Sequence, residues 1–167
     1  CFDFGSRRDA ESAERRRLKD IDQISGDVLD LAMRLHRELG PGLLESAYET
    51  LLAARLAAAG YDVLRQYAVS VEFDGVRIEN AFRVDLLVDQ RLVVEIKSID
   101  RLAPVHGKQL LTYLRLLKQP VGLLINFGGA TLKEGVKRVV NSHTPSALSA
   151  PLREQKILPH TRASNQE

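Results

Sequence analysis

Phe82-Arg83-Val84-Asp85-Leu86-Leu87-Val88-Asp89-Gln90-Arg91-Leu92-Val93-Val94-Glu95-Ile96-Lys97 sets charged side chains inside an otherwise apolar run. Two apolar runs of strand length flank the polar break Asp89-Gln90-Arg91, the pattern of a β-hairpin with a buried interior. Asp85, Glu95 and Lys97 interrupt that burial. A carboxylate taken out of water needs a compensating partner, and two near each other need one more, so a divalent cation is the first candidate.

Glu95 and Lys97 stand two apart on one strand and so share a face. Asp85 joins them only in one register. A two-residue loop at Asp89-Gln90 pairs Asp85 with Val94 and turns the carboxylates to opposite faces. A three-residue loop, Asp89-Gln90-Arg91, or a bulge pairs Asp85 with Glu95 and brings them together. The metal reading therefore requires the odd register, which no Gly at the turn fixes. The competing reading is an ordinary surface salt bridge from Lys97 to the two acids.

Working outward, Asp74-Gly75 is a hairpin signal between strands at Tyr67 to Phe73 and Val76 to Val88, and Leu92 to Ser98 completes a meander. Before it lie two helices. Ile21, Ile24, Val28, Leu31, Leu35 and Leu39 recur at helical spacing until Gly40-Pro41-Gly42, and Leu43 to Ala59 forms a second helix closed by Gly60. His36, just off the apolar stripe, reads as a packing or surface residue. Glu45 and Tyr48 share a face of the second helix's first turn, where a carboxylate is also favoured by the helix dipole.

After the meander, Pro104 opens a helix to about Lys118, on which Gln109 and Tyr113 are four apart and neighbours. Val121 to Phe127 is an apolar run expected as a buried strand. It follows a helical crossover, so it should pair in parallel and make the sheet mixed. Leu132 to Asn141 is expected as a last short helix carrying Lys133, Lys137 and Arg138 as a local basic patch. The fold class is α+β, an α/β/α sandwich-like arrangement. Residues 1–20 read as a charged N-terminal arm, 21–141 as one domain and 142–167 as a polar tail.

Composition narrows the function classes. A length of 167 residues with 44% hydrophobic content supports one genuine core. A net charge of +2, from 24 basic and 22 acidic side chains, carries no bulk commitment to nucleic acid. One cysteine, Cys1, excludes a disulfide framework within the chain and fits a reducing, cytoplasmic setting. No apolar run approaches the ~20 residues of a membrane span, so no membrane partner is expected. Walker-type phosphate loops, Cys/His zinc spacing and Gly-x-Ser-x-Gly elbows are absent from the sequence.

Taken together, Glu on a helix, Asp on the second strand and Glu-x-Lys on the third resemble the core of the PD-(D/E)XK nuclease superfamily. Gly42-Leu43-Leu44-Glu45-Ser46-Ala47-Tyr48 is similar to the motif of the GxxExxY protein family. The resemblance implies a restriction-endonuclease-like fold over 21–141 and a metal-dependent nuclease acting on DNA, with RNA ranked below it. It implies that Asp85, Glu95 and the main-chain carbonyl of Ile96 hold Mg²⁺ or Mn²⁺, that Glu45 completes the acidic cluster as a ligand or through water, and that Lys97 orients the attacking water. Gln109 and Tyr113 resemble the Gln-x-x-x-Tyr motif of lambda-type exonucleases, bracing the site towards the DNA strand. Val84 stands where the signature has Pro, a departure in the motif rather than in the chemistry. All-oxygen ligands favour such hard ions over zinc or copper. The alternative is a catalytically silent nucleic-acid-binding or scaffold protein that keeps the fold, and a homo-oligomer is compatible with either.

Overall fold

The computed structural model describes Glu14 and residues 19–142. The arm and tail expectations fall almost wholly outside the described residues. Two helices come first: α1, Ile21–Leu39, and α2, Glu45–Ala58. Asp20 caps α1: its carboxylate accepts the Gln23 N–H at 2.8 Å while the Gln23 side chain accepts the Asp20 N–H at 3.0 Å. Such a reciprocal pair satisfies two N-terminal donors that no helical carbonyl reaches. Gly60 follows α2 with φ 91°, the left-handed turn that closes the helix.

Five strands follow around a third helix: β1, Val63–Phe73; β2, Val76–Val88; β3, Leu92–Lys97; α3, Pro104–Leu117; β4, Val121–Asn126; and β5, Val136–Val140. They form one sheet in the order β1-β2-β3-β4-β5. Neighbours run antiparallel except β3 and β4, which are parallel. The sheet is therefore mixed, as the crossover through α3 requires.

Alternation along the strands sorts the core into two layers. Leu86, Val88, Val94, Ile96, Leu123 and Ile125 pack with Val28, Leu35, Tyr48 and Leu52 of α1 and α2. Leu87, Val93 and Leu124 face Leu110, Leu114 and Leu117 of α3. Central strands β3 and β4 are covered on both sides, which is why their sequences run nearly continuously apolar. His36 is buried, with Nε2 3.0 Å from the Gly129 carbonyl oxygen, so it serves packing.

One expected element differs. Instead of a helix over Leu132 to Asn141, a short 3₁₀ turn, Lys133–Gly135, leads into the edge strand β5. Gly135 lies so close to β4 that a Cβ there would stand 2.3 Å from the Asn126 carbonyl oxygen, and the β-branched Val136, Val139 and Val140 complete the free side of β4. The expected basic patch divides accordingly. Adjacent strand residues point to opposite faces: Arg138 pairs with Asp22 of α1, while the Lys137 stem passes over Gly107 of α3.

Candidate functional site

The turn after β2 decides the site. Asp89 and Gln90 both take left-handed φ, 48° and 55°, and the Arg91 N–H bonds the Val88 carbonyl at 3.0 Å. The ladder nevertheless pairs Val88 with Leu92, Leu87 with Val93 and Leu86 with Val94, so the loop counts three residues. One step further, Asp85 comes level with Glu95. The odd register is held from outside the hairpin as well. Asp62 and Asp89 exchange hydrogen bonds at 2.8 Å, and Arg91 donates to the Lys19 carbonyl at 2.7 Å.

Beyond Leu86 the two strands separate, and a side chain takes over from the ladder. Asp85 Oδ2 accepts the Ile96 N–H at 2.7 Å. On the other side of β2, Arg65 pairs with Leu86 and Tyr67 with Val84, but the intervening pair of Gln66 with Asp85 is missing. Face alternation also breaks here, since Phe82 and Val84 pack on the α3 side with Leu87 while Leu86 and Val88 face α1 and α2. Asp85 thus sits at a fault in the sheet, its carboxylate freed from strand geometry.

Burial acts strongly on these acids. Glu95 is only 6% exposed, and desolvation first, then the Asp85 carboxylate, pushes its pKa up to about 8. Lys97 and the Asp85 N–H oppose that rise. Asp85 is likewise raised by desolvation, against the Ile96 hydrogen bond and Lys97, with Glu45 and Glu49 adding to the repulsion. Lys97 Nζ stands 3.6 Å from Glu45 Oε1, so helix α2 and strand β3 meet at this ion pair.

Gln109 and Tyr113 on α3 are joined by a 2.7 Å hydrogen bond from the amide to the phenol oxygen. The Tyr113 ring stacks on Phe82 with centroids 4.1 Å apart. Burial raises the Tyr113 phenol, and the charges of Glu95, Lys97 and Asp85 all reach it. Tyr113, with Gln109 bonded to it, therefore lies within electrostatic reach of Asp85, Glu95 and Lys97. The Ile96 side chain faces the opposite core layer, and only its main chain touches the group.

Two participants have weak sequence signals. Glu49, one turn beyond Glu45, is 4% exposed and bonded to Arg65 and Gln66. An acid between Tyr48 and Leu52 on the buried side of α2 could have marked it. Gln66 has no signal of its own, since its role comes from a left-handed backbone, φ 48°, in mid-strand.

The donor set suits a hard cation. Glu95 Oε1 is buried and has no hydrogen-bond partner among the described residues. Such an atom costs stability unless something positive meets it. Among the described residues no three His, Cys, Asp or Glu side chains form a ready cage. The available set is instead two carboxylates, Asp85 and Glu95, an all-oxygen pair of the kind that hard cations accept together with water.

The sequence profile of the PD-(D/E)XK nuclease superfamily matches residues 22–139, well over half of the chain. The chain belongs to the PD-(D/E)XK nuclease superfamily. Neither the curated proteins nor the solved structures contain a match. The superfamily assignment agrees with the helices and the mixed five-stranded sheet. No helix among the described residues is long and apolar enough to cross a membrane.

Proposed function

We propose that this PD-(D/E)XK superfamily member is a divalent-metal-dependent nuclease that hydrolyses phosphodiester bonds in DNA, and that it is of the GxxExxY type. The observation that carries the reading is the three-residue loop that brings Asp85 level with Glu95, one step beyond the last ladder pair of Leu86 with Val94, beside a buried Glu95 Oε1 that has no hydrogen-bond partner among the described residues. The GxxExxY motif has a physical sense in the fold. Gly42 takes φ 117°, Glu45 opens α2 beside Lys97, and the Tyr48 hydroxyl ties the loop by donating to the Gly40 carbonyl at 2.6 Å.

Asp85 and Glu95 would hold Mg²⁺ or Mn²⁺, with the Ile96 main-chain carbonyl beside them and Glu45 at the rim. Bound there, the ion supplies Lewis acidity and a coordinated water of lowered pKa. Asp85 is held at both oxygens, Oδ2 by the Ile96 N–H and Oδ1 by the Gln66 amide, so its carboxylate has a set direction. Lys97, held near Glu45, places a positive charge where an attacking water and a phosphate oxygen would meet. Gln109 orients the Tyr113 phenol at the α3 side of the same spot, where it can donate to a phosphate. The metal-free site is acidic, so a phosphate enters favourably only with a cation present.

Purified protein incubated with linear, circular and single-stranded DNA, in Mg²⁺, Mn²⁺ or EDTA, tests the reading. Cleavage that needs metal and vanishes in Lys97→Ala is expected. DNA binding without cleavage in any metal would assign the chain to the silent, binding-only alternative, for which the net charge of only +2 is the favouring feature. RNA substrates belong in the same assay as a lower-ranked class.

A further inference from the structure

Gln66 lies in the interior of β1, yet its φ is 48°. A left-handed backbone is strained at a residue with a Cβ, and a strand gains nothing from it. The ladder shows where the distortion falls: pairs flank it at Arg65 with Leu86 and Tyr67 with Val84, and the omitted pair is Gln66 with Asp85. The distortion frees the side chain for another use. The Gln66 amide donates to Glu49 Oε2 at 2.6 Å and to Asp85 Oδ1 at 3.3 Å. Glu49 is in turn fixed by Arg65 at 3.0 Å.

The choice of group matters. Asp85 has one oxygen on the Ile96 N–H and the other on Gln66. A Lys or Arg at position 66 would neutralise the carboxylate and repel an incoming cation. An uncharged amide sets the direction of the carboxylate while leaving its charge intact. Groups that hold a metal ligand in this way typically change metal affinity 10- to 100-fold when removed.

We propose that Gln66 is a positioning residue, held in a strained left-handed conformation so that its amide, backed by Glu49 and Arg65, aims Asp85 at the metal. The inference rests on reading Asp85 and Glu95 as a divalent-cation site. Gln66 is itself exposed, so its replacement disturbs no core packing.

Mn²⁺ binding to the full chain, followed by calorimetry and by the Mn²⁺ electron paramagnetic resonance spectrum, tests it on Gln66→Gly and Gln66→Met. Glycine accepts the left-handed backbone and methionine keeps the side-chain length, and each removes the amide. Both variants should weaken Mn²⁺ binding about tenfold and alter the spectrum, with a thermal midpoint in EDTA within a few degrees of the parent. An affinity within twofold of the parent in a folded variant overturns the proposal, as does weakened binding that merely tracks a large fall in the EDTA midpoint. Failure of the parent protein to bind Mn²⁺ is a distinct result, which removes the metal-site reading and the proposal with it.

Discussion

Asp85 Oδ2 receives the main-chain N–H of Ile96 at 2.7 Å, so a side-chain carboxylate occupies the place of a strand carbonyl where β2 leaves β3. An asparagine can accept the same N–H through its amide oxygen. It also ends the repulsion that Glu45 and Glu49 exert on Asp85 and that Asp85 exerts on Glu95. Asp85→Asn should therefore leave the metal-free protein equally stable or up to about 1 kcal/mol more stable. Mn²⁺ affinity should fall more than tenfold. Chemical denaturation in EDTA and titration calorimetry read the two effects, which are expected to move in opposite directions.

Glu95 gives the metal-free protein a pH dependence. Its folded pKa, about 8, lies above the unfolded value of 4.5, so the folded state binds the extra proton between them. Stability from this group is fully present below the unfolded value and is lost as pH rises through the folded one. Unfolding free energy in EDTA should fall by a few kcal/mol between roughly pH 5 and 8, then level off. Glu95→Gln should flatten that slope. Because a cation displaces the proton, Mn²⁺ affinity should run the other way, rising to a plateau above about pH 8. Denaturation and calorimetry at a series of pH values check both slopes.

The ion pair from Lys97 to Glu45, at 3.6 Å, joins α2 to the rim of the acidic group. The Glu45 side chain is 41% exposed and the two charges do not approach closely, so the pair itself contributes little to stability. Lys97→Ala should leave the unfolding free energy within about 1 kcal/mol of the parent while cutting DNA cleavage by roughly 100-fold or more. Equal cleavage by Lys97→Ala and the parent protein, in either metal, would remove Lys97 from the mechanism.

The hairpin and the helical crossover were legible in the sequence because each rests on a local pattern, alternation or helical spacing, whereas the grouping of Glu45 with Asp85, Glu95 and Lys97 came from the family resemblance. The register between Asp85 and Glu95 was legible only as a condition. It is fixed by Asp62 and Lys19, which meet the turn from distant parts of the chain. The last strand was illegible for a similar reason. Leu132 to Asn141 satisfies helical spacing, but the open edge of β4 and the close approach of Gly135 to Asn126 favour a strand. Gln66 and Glu49 escaped because neither residue type announces a left-handed backbone or a buried acid.

Tyr48 links the core to the site through one hydroxyl. Its ring is fully buried and stacks on Phe127 at 4.4 Å, while its oxygen donates to the Gly40 carbonyl at 2.6 Å and accepts the Leu43 N–H at 3.3 Å. Leu43 in turn accepts from Ser98 Oγ at 2.7 Å, directly after Lys97. The loop that delivers Glu45 is thus pinned to β3 and to α2 at once. Tyr48→Phe keeps the stack and removes both bonds, so it should cost about 1–3 kcal/mol, whereas Tyr48→Ala should cost about 3–5 kcal/mol by opening a cavity. Cleavage by the folded Phe variant should fall several-fold through misplacement of Glu45 and Lys97, while Mn²⁺ affinity, set by Asp85 and Glu95, stays near the parent value. Denaturant unfolding of both variants, with Mn²⁺ calorimetry and cleavage assays on the Phe variant, separates the two contributions.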